Sequence, residues 1–159
     1  MTRQSTIVLI AFGIGLAACG GSSPSAPTAA PPVPTPTPVS YSGTFSGTMT
    51  GTGNGILAIP CTGRTTVTHS GNNISFSDLS VSVCFPSSVT FGIAGGSLSG
   101  NNFTAAGGYN STGCGSVTST WTGFFSGDGR LMNLRVVITP PASAPSGCGI
   151  VQFLGEISR

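Results

Sequence analysis

The sequence predicts an all-β domain: a small antiparallel up-and-down barrel or curled meander of about eight to ten strands, with a β-sandwich as the alternative. Three observations predict it. From Tyr41 onward, β-branched and aromatic residues are spaced by two, and no window carries a 3.6-residue period. Four turn signals punctuate these runs: Gly53-Asn54-Gly55, Gly71-Asn72-Asn73, Gly100-Asn101-Asn102 and Gly127-Asp128-Gly129. Gly, Asn and Asp tolerate the positive φ that tight hairpin turns require. Finally, each run has one greasy face and one hydroxyl-rich face, the pattern of an antiparallel sheet with one wetted side.

The elements follow in order. Tyr41 to Thr52 places Tyr41, Phe45 and Met49 on one face, with Ser42, Thr44, Ser46, Thr48 and Thr50 opposite. The Ile56 to Ser70 region reads as short strands. In Ile74 to Phe85, Ile74 and Phe76 share one phase and Val81, Val83 and Phe85 another, so a bulge is expected near Asp78-Leu79. Val89, Phe91 and Ile93 alternate next, and Gly95-Gly96 marks a second kink. Phe103, Ala105 and Tyr109 follow, then Val117, Trp121 and Phe125. Met132, Leu134, Val136 and Ile138 alternate with Asn133 and Arg135, and Val151, Phe153 and Ile157 lie opposite Gln152 and Glu156. The runs total about nine, but a closed antiparallel barrel takes an even number. The error is placed in Ile56 to Ser70. Closure is favoured because it removes the exposed strand edges of such a chain.

The first 40 residues differ from the rest. Met1 to Cys19 joins Arg3, an apolar stretch from Thr6 to Leu16 and the ending Leu16-Ala17-Ala18-Cys19. The stretch is too short to span a bilayer as a helix. The ending resembles the lipobox of bacterial lipoprotein precursors. That resemblance implies cleavage before Cys19, a diacylglyceryl thioether on its sulfur and acylation, such as palmitate, of its new amine. Gly20 follows where Asp favours inner-membrane retention, so the resemblance implies the outer membrane of the cell envelope. Two or three acyl chains make such an anchor effectively permanent. Gly20 to Ser40 is rich in Pro, Ser, Ala and Thr. Proline lacks the amide donor, so the segment reads as a disordered spacer reaching up to about 60 Å. The expected organisation is a signal peptide over 1–18, a lipidated tether over 19–40 and one domain over 41–159.

Four cysteines remain in the domain, and an exported chain of this size forms disulfides with them. If the Gly-Asn turns share one end of the meander, all four cysteines fall near the other. The expected pairs are Cys61–Cys84 and Cys114–Cys148, tying down connections that include the Pro-rich loop from Thr139 to Gly147. No closely spaced ligand pair suggests zinc.

Charge excludes some functions. The domain carries Arg64, Arg130, Arg135 and Arg159 against Asp78, Asp128 and Glu156, hence 4 − 3 = +1. Nothing in that balance points to nucleic acid. His69 precedes a hairpin turn on the face of Val67, and Asp128 is a turn residue by type. Neither they nor Asp78 join a recognisable nucleophile motif, so no catalytic residue and no cofactor are expected. Tyr109, Trp121 and Phe125 are candidates to line a ligand cavity, with plain core as the competing reading. Gly43, Gly47, Gly107 and Gly123 either leave room inside a barrel or mark where strands bend.

The opening strand Tyr41-x-Gly43-x-Phe45-x-Gly47, followed by a hairpin meander, resembles the calycin barrels that include lipocalins. The resemblance implies a barrel and carries no residue roles. Three functions follow as expectations: a membrane-anchored, non-catalytic binding or structural module meeting an envelope protein or glycan, a lipocalin-like carrier of a small apolar ligand, or a hydrolase using Asp78 or His69.

Overall fold

The computed structural model describes residues 38–53, 56–83 and 89–159. The chain separates into two units, Met1–Pro36 and Thr37–Arg159, and every described residue belongs to the second. The leader, Cys19 and the tether up to residue 37 lie outside the described residues, as do Cys84 and Phe85.

No described residue is helical. The strands are β1 (Gly43–Gly53), β2 (Ile56–Ser70), β3 (Asn73–Phe76), β4 (Leu79–Ser82), β5 (Val89–Phe91), β6 (Ala94–Ser99), β7 (Asn102–Ser111), β8 (Gly115–Phe125), β9 (Leu131–Thr139) and β10 (Val151–Ser158). Neighbours run β1-β10-β9-β8-β7-β6-β3-β2, and β2 pairs back onto β1. Every pairing is antiparallel, so the wall is an eight-strand closed barrel. β3 and β4 both lie along β2, forming two halves of one wall strand. β5 and β6, paired to β4 and β3, are the halves of the next. Counted this way, each wall strand pairs with the next in chain order, which is an up-and-down meander.

The even number emerges where the sequence reading expected its error. Ile56–Ser70 is one strand of 15 residues. The expected bulge is also present. Phe76 and Ser80 pair with Val67 and Arg64, so four steps on one strand (80 − 76) face three on the other (67 − 64). The extra residue falls between β3 and β4. There the Thr65 hydroxyl donates to the Ser77 carbonyl at 3.0 Å, and the Thr66 amide donates to the Ser77 hydroxyl at 2.9 Å. These bonds satisfy the backbone that the bulge removes from the ladder.

Other expectations need correction. The second interruption falls at Gly92-Ile93, between β5 and β6, and Gly95-Gly96 lies inside β6. Ile93 consequently loses the phase of Phe91: it is exposed while Phe91 and Ala94 are buried. Val83 does not continue the inward phase of Val81 either. It sits at φ 75° and is 76% exposed, because β4 ends at Ser82. Finally, the Gly53 turn does not share an end with the other three. In a meander, the β1–β2 connection lies opposite the connections at Gly71, Gly100 and Gly129.

Register fixes the barrel's geometry. Following partners round the wall from Gly53 leads through Val151, Ile138, Ser119, Gly107, Ala94, Phe76 and Val67 back to Gly43 on β1. The path returns displaced by ten residues (53 − 43), which is the stagger of the closed wall. For eight strands this corresponds to a tilt of roughly 40° and an interior narrow enough for side chains to fill. Inward glycines permit the tight curl. A Cβ on Gly107 would collide with the Ile93 carbonyl, and one on Gly123 with the Asn133 carbonyl. At these two positions the neighbouring backbone occupies the space.

Candidate functional site

The lumen is one hydrophobic cluster from end to end. Alternation aims Val117, Trp121 and Phe125 of β8 inward, and the same period supplies Phe45 and Met49 from β1 and Met132 to Ile138 from β9. Trp121 is fully buried. Its ring centroid lies 5.0 Å from that of Phe76, and its indole N–H donates to the Ser119 hydroxyl at 2.9 Å. Buried tryptophan needs such a partner, and β8 provides it two residues away. Phe125 packs against Phe103 and Phe45, with centroids 5.2 and 5.7 Å away. The three candidates for a ligand cavity do not share one pocket wall. Trp121 and Phe125 are linked through Phe76 and Phe103. Tyr109 sits towards the far end of β7, edge-on to Phe91 at 5.8 Å. Partial burial raises its phenol above the ordinary value.

The two ends of the barrel are built differently. At the tight-turn end, where the chain enters, Tyr41 acts as a plug. Its ring stacks on Phe125 at 4.6 Å, meets the His69 ring at 5.2 Å, and its hydroxyl donates to Asn101 Oδ1 at 2.9 Å. Arg159 clasps the incoming chain: its Nη1 donates to the Ser42 carbonyl at 2.6 Å and to the Ser40 carbonyl at 3.4 Å. The turns are sewn to following strands through Leu98 N–H to Asn72 O and Phe125 N–H to Asn101 O, at 2.8 and 2.9 Å. Sequence reasoning found Tyr41 as a core residue but missed Arg159, because no local pattern links residues 117 apart.

At the opposite end a long β9–β10 connection, residues 140–150, is covalently tied. Cys114 and Cys148 are bonded, joining the β7–β8 turn to the Pro-rich β9–β10 loop. Cys61 is also disulfide-bonded. It sits within β2, buried and opposite Met49, and its expected partner Cys84 lies outside the described residues. No charged residue occurs in segments 53–63, 79–93, 105–127 or 136–155. By register the disulfide half of the barrel draws only on these segments and the uncharged end of β1, while 121–127 continue to the tight-turn end; every charge of the domain lies in the other half or at the boundary between the two.

His69 Nε2 lies 2.7 Å from the Gly71 carbonyl. Asp78 is exposed at the β3–β4 bulge. Asp128 accepts from the Ser126 hydroxyl at 2.5 Å and from the Arg130 amide at 3.1 Å. The hydroxyl first, and the amide next, lower its pKa. Among the described residues the one ion pair joins Arg130 to Asp128, so none of the three carboxylates pairs with His69. No group of three or more metal-ligating side chains occurs among the described residues.

Outside, hydroxyls line the wall. Ser116, Thr118, Thr120 and Thr122 point outward from β8 and face Asn110, Gly108, Ala106 and Thr104 of β7. Two shallow depressions lie here. One, of about 440 Å³, is floored by Gly95, Gly96 and Ala106 between Ser97, Thr104 and Thr120. The other, of about 340 Å³, runs beside Tyr109, Asn110, Ser116 and Thr118. Both are open, uncharged and rimmed by hydroxyls or amides, which suits contact with a neutral polar surface. No family model matches the sequence, and no curated protein or solved structure matches it either.

Proposed function

We propose that this chain is an envelope lipoprotein, cut before Cys19, lipidated there, and displaying residues 41–159 as a non-catalytic binding or structural module. The observation that carries the reading is the ordered leader: Arg3, the apolar stretch to Leu16, Ala17-Ala18-Cys19, then a Pro-rich spacer. A cross-linked all-β domain with few charges is consistent with an oxidising compartment. The filled lumen supports a module that acts through its outer surface. Its neutral, hydroxyl-rich wall suits an envelope protein or a glycan as partner, and Gly20 favours the outer membrane.

The test is acylation. Expressed in a bacterium with a lipoprotein pathway and fed labelled palmitate, the wild type takes up label and fractionates with outer membrane, while Cys19→Ser does not. An unlabelled wild type overturns the reading. The carrier alternative is separated by Trp121, the one tryptophan of the chain. A ligand entering the lumen must displace its neighbours and change its emission. The module reading expects no saturable change with fatty acids or other small apolar compounds.

A further inference from the structure

We infer that the tight-turn end of the barrel rests on the membrane that holds the anchor, with Val39, Phe124 and Leu131 in the headgroup boundary and the disulfide end directed away. The inference rests on the lipoprotein reading. Its own support is a patch that surrounds the point where the chain enters. Phe124 points outward near the end of β8 and is 50% exposed; Leu131 opens β9 and Val39 precedes β1, each 40% exposed. Phe124 pairs with Asn133, so Leu131, two residues earlier on the same face, is its diagonal neighbour. Val39 adjoins the turn joining those strands, because a Cβ on Gly129 would lie 3.2 Å from its Cγ1. An exposed phenylalanine beside two exposed aliphatic side chains is favourable at a lipid interface.

Charge placement points the same way. Arg130, Asp128 and Arg159 lie at this end, while Arg135, Glu156, Arg64 and Asp78 lie farther along the wall, towards its middle. A zwitterionic headgroup layer offers partners to both signs, and its phosphates suit arginine. The uncharged half also exposes apolar side chains, Ile59, Val83 and Ile150, but has no such charged complement beside them. The chain outside the described residues also ends here. A tether of at most about 60 Å from Cys19 keeps this end at high local concentration over the bilayer. The two ends of β1 lie about 25 Å apart along the axis, from ten steps of about 3.3 Å at the barrel's tilt. An interfacial contact only about 5–10 Å deep therefore engages one end alone.

Depth-dependent quenching tests this on the full lipidated chain in vesicles of phosphatidylcholine brominated on its acyl chains. Phe124→Trp puts a reporter in the patch. Thr118→Trp puts one on the same face of β8, about 15 Å farther up the axis. Both replace outward-facing residues, and retained thermal unfolding verifies each fold. Expected is a roughly twofold loss of added emission for Phe124→Trp and none for Thr118→Trp, against unbrominated vesicles. Vesicle-bound protein with neither reporter quenched overturns the inference, leaving a free-floating domain. Stronger quenching of Thr118→Trp overturns it in favour of the opposite orientation. Protein that fails to sediment with vesicles removes the lipid anchor, and both readings fall together.

Discussion

The two ends of this barrel are closed by different physics. The tight-turn end is sealed by non-covalent contacts converging on Tyr41: a stacked ring, a hydroxyl–amide bond and the Arg159 clasp. The other end is held by the Cys114–Cys148 bond, which ties the short β7–β8 turn to the long loop of residues 140–150. Short turns of Gly and Asn place backbone donors and acceptors where neighbouring strands reach them. The longer Pro-rich loop of residues 140–150 offers fewer such partners, and a cross-link substitutes by limiting the unfolded chain. The difference shows how a domain with little charge distributes its stabilisation: packing where the chain can be short, covalent bonds where it is long.

The largest break in this comparison is Cys114→Ser with Cys148→Ser. The closed loop spans a sequence separation of 34, so denaturant unfolding should show a loss of about 3–4 kcal/mol, and reduction of the wild type, which also breaks the bond at Cys61, a larger one. A loss no larger than that of a surface substitution would show that packing holds this end too. Tyr41→Ala should cost about 3 kcal/mol by opening the plug over Phe125. Tyr41→Phe should cost only about 1 kcal/mol, the worth of its bond to Asn101. Equal effects from the two would shift the weight from ring stacking to the hydroxyl. Between the ends, Gly123→Ala should cost about 1–3 kcal/mol because its methyl meets the Asn133 carbonyl and Phe103. A neutral result there would mean the wall relaxes without strain.

The smallest effects are pH limits, which the two ends set on opposite sides. Asp128, at the tight-turn end, has its pKa lowered by Ser126 and the Arg130 amide. Its contribution is present above the ordinary aspartate value, about 4, and is lost as pH falls through the lower folded value. Tyr109, towards the disulfide end, has its pKa raised by burial. Its contribution is complete below the ordinary tyrosine value, about 10, and is lost as pH rises through the higher folded value. Asp128→Asn should flatten only the acid limb of a stability–pH curve, and Tyr109→Phe only the alkaline limb. A single variant moving both limbs would contradict the assignment.

Legibility followed range. Alternation placed Phe45, Met49, Leu134, Val136 and Phe153 inside because side-chain direction in a strand depends only on the local backbone. The bulge at Asp78-Leu79 was readable because a change of phase between Phe76 and Val81 requires an extra residue. Val83 and Ile93 were misassigned because their phase holds only while the ladder continues. The ladder ends at Ser82 and breaks at Gly92, where local sequence carries no mark of the partner strand's end. Trp121 and Phe125 were legible as aromatic and inward. That they are joined through Phe76 and Phe103, while Tyr109 stands apart, depended on β3, β7 and β8 meeting across the lumen.

By itself the sequence determined that residues 41–159 form antiparallel strands and where three tight turns fall; the structure shows the expected Cys114–Cys148 pair. The sequence did so because strand period and turn φ are properties of a few adjacent residues. Only the tertiary structure decided that the wall closes at eight strands with a stagger of ten residues. The same closure put Arg159 over Ser40 and Ser42 and left one half of the barrel without charge. Those outcomes depend on β1 meeting both β2 and β10, a ring of contacts that exists only once the whole chain has folded.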